Sequence, residues 1–292
     1  MAYTQLKSRH TRGARVEEIS RESAHYRLFI PSGFSDSYRL AQLDDYTLFS
    51  RGRFPHRNSL SLSLSVRTSS DAIAGTWGFG LWNDPFGLSL GFGGNSFRLP
   101  ALPNAAWFFG ASKENYLSFR DIPCLERSEA QSKDKLPIRS QLQTGIHAST
   151  TPPTNGGSAQ RGIAANGFIA QTFRAPKFHL RLLLAGLALP FSRKTTRRIL
   201  SQVIGEDGIA LSADPTQWHR YRLVWNPKRV KFEVDDIQAF ESLVSPNPPL
   251  GLVIWIDNQF AAFTPEGKIG FGVLENPEPA WLEVKEIELK SL

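Results

Sequence analysis

Apolar and polar residues alternate without interruption over Leu60-Ser61-Leu62-Ser63-Leu64-Ser65-Val66-Arg67. That period of two is what a β-strand shows when one face is buried and the other is not. Trp77-Gly78-Phe79-Gly80-Leu81-Trp82 follows after a turn near Ala74-Gly75, with glycines that let a backbone or a ligand approach closely. Trp107-Phe108-Phe109-Gly110, Tyr116-Leu117-Ser118-Phe119 and Gly167-Phe168-Ile169-Ala170-Gln171-Thr172-Phe173-Arg174 continue the series. Residues 218–225 and 230–235, separated by Asn226-Pro227-Lys228, predict a hairpin. Residues 251–259, 268–274 and 280–289 give three more strands, the last with clean alternation. At least eight strands with no repeat of 20 to 50 residues predict a single all-β domain, most simply a jelly-roll sandwich of two antiparallel sheets.

Three stretches depart from strand patterning. Residues 1–50 read as an irregular lead-in packed on the domain, leaving 51–292 as the β-sandwich. Residues 126–162 are polar, contain Thr151-Pro152-Pro153-Thr154-Asn155-Gly156-Gly157, and read as a long mobile loop inside that domain. Residues 178–204 read as a short helical insertion: an apolar run over 178–189, a break at Pro190, then Ser192 as N-cap for 194–204.

Composition narrows the chemistry. The 292 residues are 41% hydrophobic and 21% charged, a globular balance, with 20 Phe, 7 Trp, 23 Gly and 19 Pro suited to twisted strands and turns. A single cysteine, Cys124, excludes an internal disulfide and any site with two thiolate ligands. The net charge of +7 is localised: Arg174, Lys177, Arg181, Arg193, Lys194, Arg197 and Arg198 lie in one acid-free segment, and the remaining residues sum to zero. Basicity confined to one segment, with no binding motif, argues against nucleic acid. The insert reads as a core-covering helix followed by a solvated basic one. Alternatively, 178–204 is an apolar lid with a basic face that contacts an anionic membrane peripherally or admits a greasy ligand. No secretory leader or bilayer-length apolar run is visible, so the expectation is a soluble, cytoplasmic protein.

The strand ending in Arg67, the Gly75-Thr76-Trp77 turn leading to Trp82, and the hairpin Trp218-His219-Arg220-Tyr221-Arg222-Leu223-Val224-Trp225 together resemble the family-16 glycoside hydrolases of the concanavalin A-like lectin/glucanase fold. The resemblance implies a concave sheet face and retaining cleavage of β-glycosidic bonds by a Glu-x-Asp-x-x-Glu strand after the Gly-Thr-Trp segment. Here that stretch, residues 99–110, contains no carboxylate. The near-spelling Glu233-Val234-Asp235-Asp236-Ile237-Gln238 lies in the later hairpin and lacks the second glutamate. The structural calcium common in the family finds no ligand cluster, and no metal or cofactor is expected.

With the carboxylates gone, a concave face would be aromatic, and Trp77, Phe79, Trp82, Trp107, Phe109 and Trp255 are its expected ligand-binding lining. Two acids stand beside aromatic strand ends and amides: Asp84 after Trp82-Asn83, and Asp257 before Asn258-Gln259. Either is a candidate catalytic group, partly desolvated and suited to proton transfer. Asn83, Asn258 and Gln259 are candidate ligand contacts. The leading functional reading is a non-hydrolytic sandwich binding a small apolar or mixed ligand, with cyclase, lyase or isomerase chemistry if it is an enzyme. The alternatives are a carbohydrate-binding module, an atypical glycoside hydrolase acting on β-glycans, and a membrane-peripheral interaction protein.

Overall fold

The computed structural model describes residues 6–86, 101–119, 166–176 and 191–292. Four strands form where the sequence pattern suggests an irregular lead-in: β1 (Lys7–His10), β2 (Arg15–Ser20), β3 (His25–Ile30) and β4 (Leu40–Asp44). They are followed by β5 (Leu60–Thr68), β6 (Thr76–Trp82), β7 (Ala105–Ala111) and β8 (Gly167–Arg174). Helix α1 (Arg193–Val203) leads into β9 (Gly205–Ala210), β10 (His219–Asn226), β11 (Arg229–Val234) and β12 (Ile237–Ser242). The chain ends with β13 (Gly251–Asp257), β14 (Gln259–Phe263), β15 (Ile269–Val273) and β16 (Ala280–Ser291).

These strands build the expected antiparallel sandwich. One seven-stranded sheet has the order β1-β4-β13-β6-β7-β8-β9 and the other β12-β11-β10-β5-β16-β3-β2. We call them the front and back sheets. The core between them collects the inward halves of both alternations: Phe79, Leu81, Phe108 and Ile254 from the front, Leu62, Leu64, Tyr221 and Phe232 from the back. Ring contacts cross the layer, Phe79 to Tyr221 at 5.1 Å and Phe108 to Phe232 at 5.3 Å between centroids. The predicted hairpin is β10–β11, paired from Tyr221 opposite Val234 to Asn226 opposite Arg229.

The reading of residues 1–50 as irregular is therefore corrected. Strands β1 and β4 close one side of the front sheet, and β2 and β3 close one side of the back sheet. Their pattern is hard to see because apolar side chains also face outward; Phe29, for example, is covered by the Arg15 guanidinium at 3.9 Å. Residues 116–119 are not a strand, and only Tyr116 forms an isolated bridge, to Ala262. The expected loop at 126–162 and the apolar run at 178–189 lie outside the described residues.

The helical insertion is present in its second half, and Ser192 caps it as its spacing predicts, its Oγ accepting from the Thr195 backbone N–H at 3.2 Å. One part of the solvated-helix reading is corrected. Arg193, Lys194 and Arg198 are exposed, but Arg197 is buried and its Nη1 donates to the carbonyls of Ser118, at 2.7 Å, and Phe263. A guanidinium with five donors can satisfy carbonyls on two segments at once, and here it ties the insert to the front-sheet loops. Among the described residues, no helix is long and apolar enough to cross a membrane.

Candidate functional site

Strand alternation decides which front-sheet side chains face away from the core. On β6 these are Thr76, Gly78, Gly80 and Trp82; the paired rows bring Phe109 and Trp107 from β7, Trp255 and Asp257 from β13, and Gln42 from β4. The result is a second aromatic cluster, separate from the inter-sheet core. Trp82 and Trp255 stack with centroids 5.7 Å apart and planes 10° from parallel. Trp107 contacts Trp82 edge-on at 6.0 Å and stacks on Phe109 at 5.3 Å. Gly78 makes this possible, because a Cβ there would lie 2.7 Å from the Trp255 ring.

At the loop end of β13 this floor meets a buried carboxyl. Asp257 is 7% exposed. Its Oδ1 accepts from Thr76 Oγ1 at 2.7 Å and from the Gln259 N–H at 3.3 Å, and its Oδ2 accepts from the Tyr38 hydroxyl at 3.1 Å. Trp255 Nε1 donates to the same Thr76 oxygen at 3.0 Å, which leaves the threonine proton free to point at Asp257. Burial pushes the Asp257 carboxyl up to about 6, even though its hydrogen-bond donors pull the other way. An acid in that range changes protonation near neutrality, as proton transfer requires.

Asp257, Trp82, Phe109, Trp255 and Gln259 all line one small hollow of about 60 Å³, and Asp84 lies on its wall. Asp84 is 6% exposed and sits at a φ of +50°. Its carbonyl and that of Asn83 are held by the Arg51 guanidinium, the tightest bond being Nη2 to Asp84 O at 2.6 Å. The two acids do not form a pair. Asp257 is opposite Thr76, whereas Asp84 lies beyond Trp82, so the run of β6 between them spans roughly 20 Å at about 3.3 Å per residue. Two-carboxylate glycoside hydrolysis needs about 5–9.5 Å. The outward positions of β7, Ala105, Trp107, Phe109 and Ala111, carry no carboxylate either.

Four expected contacts are placed elsewhere. Trp77 and Phe79 face the back sheet, because they alternate with Thr76, Gly78 and Gly80; Trp77 packs on Phe168 at 4.9 Å and Phe79 on Phe108 at 5.2 Å. Asn83 stitches β6 to the start of β7, donating to Leu102 O at 3.0 Å and accepting from Asn104 N at 3.0 Å. Asn258 is fully buried and joins Arg39 N, Ser37 O and Leu274 O. Their amides are consumed by backbone groups.

The sequence reading missed Arg9, Tyr38, Gln42, Tyr46 and Thr76, which line the same hollow. All but Thr76 lie in 1–50. The only signal was the polar pair Gln42 and Asp44 at a spacing of two within an apolar strand. Burial, with the Asp84 and Asp44 charges adding to it, pushes the Tyr46 hydroxyl well above its usual range, so Tyr46 stays a neutral donor. A further buried acid, Glu206, accepts from Gln171 Nε2 at 3.1 Å and from the Phe119 N–H at 2.8 Å, and Gln171 in turn accepts from Trp107 Nε1 at 3.3 Å. This chain anchors 117–119 over the aromatic floor.

A second, larger hollow of about 290 Å³ adjoins the first and shares Phe86, Leu117 and Ala261 with it. Its outer wall is the β14–β15 hairpin. Among the described residues, no three His, Cys, Asp or Glu side chains gather as a metal site would require.

No protein-family model matches the chain, and no curated protein matches it in sequence. Solved structures similar to it include a legume lectin-like domain from Entamoeba histolytica, with a TM-score of 0.43, 10% identity, and coverage of 98% of this chain and 90% of that one. A GlcNAc-α1,4-Gal-releasing endo-β-galactosidase from Clostridium perfringens aligns with a TM-score of 0.43 and 9% identity, over 100% of this chain and 60% of that one. An alginate lyase in complex with dimannuronate aligns with a TM-score of 0.41 and 9% identity, over 94% of this chain and 77% of that one.

Proposed function

We propose that the protein binds a small ligand of mixed apolar and polar character on the outer face of its front sheet, and that Asp257 exchanges a proton with it. The observation that carries this reading is a buried carboxyl, raised to about 6, that opens into an aromatic hollow. The chemistry it suits is that of a cyclase, lyase or isomerase, in which one group takes or gives a proton while the walls exclude water. Asp84, at the far end of β6, serves the ligand independently of Asp257.

Carbohydrate binding is the second reading. Tyr38, Gln42 and Gln259 favour it, since hydroxyl and amide groups beside aromatic rings can read sugar hydroxyls. Against it, Trp82 and Trp255 spend a ring face on each other, and both are nearly covered.

Tryptophan fluorescence separates the two, because three indoles border the hollows. Titrating the chain with β-glycan oligosaccharides and with a panel of small cyclic and apolar compounds is expected to give quenching by the second group, weakened at least tenfold by Trp82→Ala. Once a ligand is in hand, Asp257→Asn should retain binding within about threefold and abolish turnover. Quenching by glycans alone, or full turnover in Asp257→Asn, overturns the leading reading.

A further inference from the structure

Resting on the reading of this face as a ligand site, we propose that the ligand is an amphiphile, its polar head held at the Asp257 end and an apolar chain lying in the second hollow.

The polarity of the front sheet is graded across its strands. One row of paired residues reads Arg9, Gln42, Trp255, Gly78, Phe109, Ile169 from β1 to β8. Charge and amide come first, then an indole with one polar edge, then hydrocarbon. The hollows follow the same gradient. Arg9, Gln42, Thr76, Asp84, Asp257 and Gln259 all belong to the first. In the second, among the described residues, Tyr116, Ser118 and the Trp107 indole are the polar groups, and the other described lining is hydrocarbon such as Leu102, Phe119, Phe173 and Phe263. A wholly polar ligand would leave that wall wet, and a wholly apolar one would lie against the polar side chains of the first hollow without bonding them. Only a molecule with one end of each kind meets both.

The apolar half is preformed. The buried Arg197 side chain bridges its two walls, bonding Ser118 O and Phe263 O while its guanidinium lies 5.1 Å from the Tyr116 ring and 5.5 Å from the Phe263 ring. Fixing the walls in advance removes part of the ordering cost of binding. At the mouth, Ile269 and Phe271 remain 40% and 53% exposed, apolar surface that a chain entering the hollow would cover.

The test is a chain-length series with the full chain, below micelle concentrations: methyl, hexyl, octyl and decyl β-D-glucosides, the matching alkanoates and the matching trimethylammonium compounds. Binding is followed by tryptophan fluorescence and calorimetry. The expected result is that, for at least one head group, affinity rises roughly three- to fourfold per added methylene. Phe271→Asp, at a half-exposed position and with its fold checked by circular dichroism, should flatten that rise. Asp257→Asn should shift affinity equally at every length. If no head group shows chain-length dependence, or if Phe271→Asp leaves it unchanged, the amphiphile proposal is overturned. Chain-free ligands that still bind and are lost in Trp82→Ala would then preserve the reading of the site itself, whereas failure of those as well would remove both.

Discussion

On the outer face of the back sheet, Arg67, Glu283, Arg27 and Glu17 stand side by side on four neighbouring strands. The equivalent view of the front sheet shows Trp255, Gly78, Phe109 and Ile169. Both sheets use the same pleat and the same core, yet one outer face is laced with ion pairs and the other with rings. Glu283 explains how the charged face is held: its two oxygens accept from Arg27 Nε and Arg67 Nε, each at 2.8 Å, while those cations lie over Trp281. A sheet face that meets solvent can be satisfied by such local pairs, whereas a face of covered aromatics implies something laid over it. In this protein that is partly the chain itself, through 115–119 and the β14–β15 hairpin, which leave the two hollows between them and the sheet.

The contrast can be attacked where it should be widest. Trp255→Ala removes a buried ring stacked on Trp82 and is expected to lower unfolding free energy by about 3–5 kcal/mol. Trp281→Ala on the charged face loses chiefly cation–π contacts and should cost about 0.5–1 kcal/mol. Urea denaturation of the two variants gives both values, and equal losses would erase the distinction between the faces.

Next in size is the pH response of the aromatic face. The folded protein keeps the Asp257 proton up to about 6, while the unfolded chain releases it near 3.8. The folded state therefore binds more protons across that window, and stability falls as pH rises from about 4 to 6, by up to about 1.4 kcal/mol per pH unit. The decline levels off about one pH unit above 6, where both states have lost the proton. Asp257→Asn should abolish that decline, and an unchanged slope in the variant would show that Asp257 is not the responsible group.

The charged face should respond with the opposite sign and a smaller effect. Burial pushes the Glu283 carboxyl up, but the bonds from Arg67 and Arg27 prevail and hold it below its ordinary value near 4.5. Its stabilisation is present above the unfolded value and is lost as pH falls through the folded one. Glu283→Gln should therefore reduce stability at pH 7 by about 1–3 kcal/mol and bring the variant closer to the parent at pH 3. A constant difference between the two proteins across that range would contradict this assignment.

How legible each face was follows from the same physics. Residues 60–67 announced a strand because one side of β5 is core and the other is serine under charged neighbours, as in Arg222 Nε donating to Ser61 Oγ at 3.1 Å. Strands β6, β7 and β13 are buried on both sides, so their runs were visible as strands but not which residues face which way. That ambiguity is why Trp77 and Phe79 were grouped with Trp82, although alternation from Gly78 assigns them to the core. Asp257 and Asp84 stood out by their aromatic neighbours. Tyr38, Gln42 and Arg9 did not, because they come from β1, β4 and the loop before β4, more than two hundred residues away from Asp257 in the chain.

By itself the sequence determined the strands from β5 onward that alternate or run apolar, the β10–β11 hairpin, the Ser192 cap and the absence of carboxylates from 105–111, since each depends on residues close together along the chain. Tertiary structure decided which aromatic residues leave the core, that Arg197 turns inward instead of facing water, and that Tyr38 and Thr76 converge on one acid. Those outcomes depend on strand register and burial, and a buried carboxyl acquires its properties from groups that only the folded sheet brings within hydrogen-bond reach.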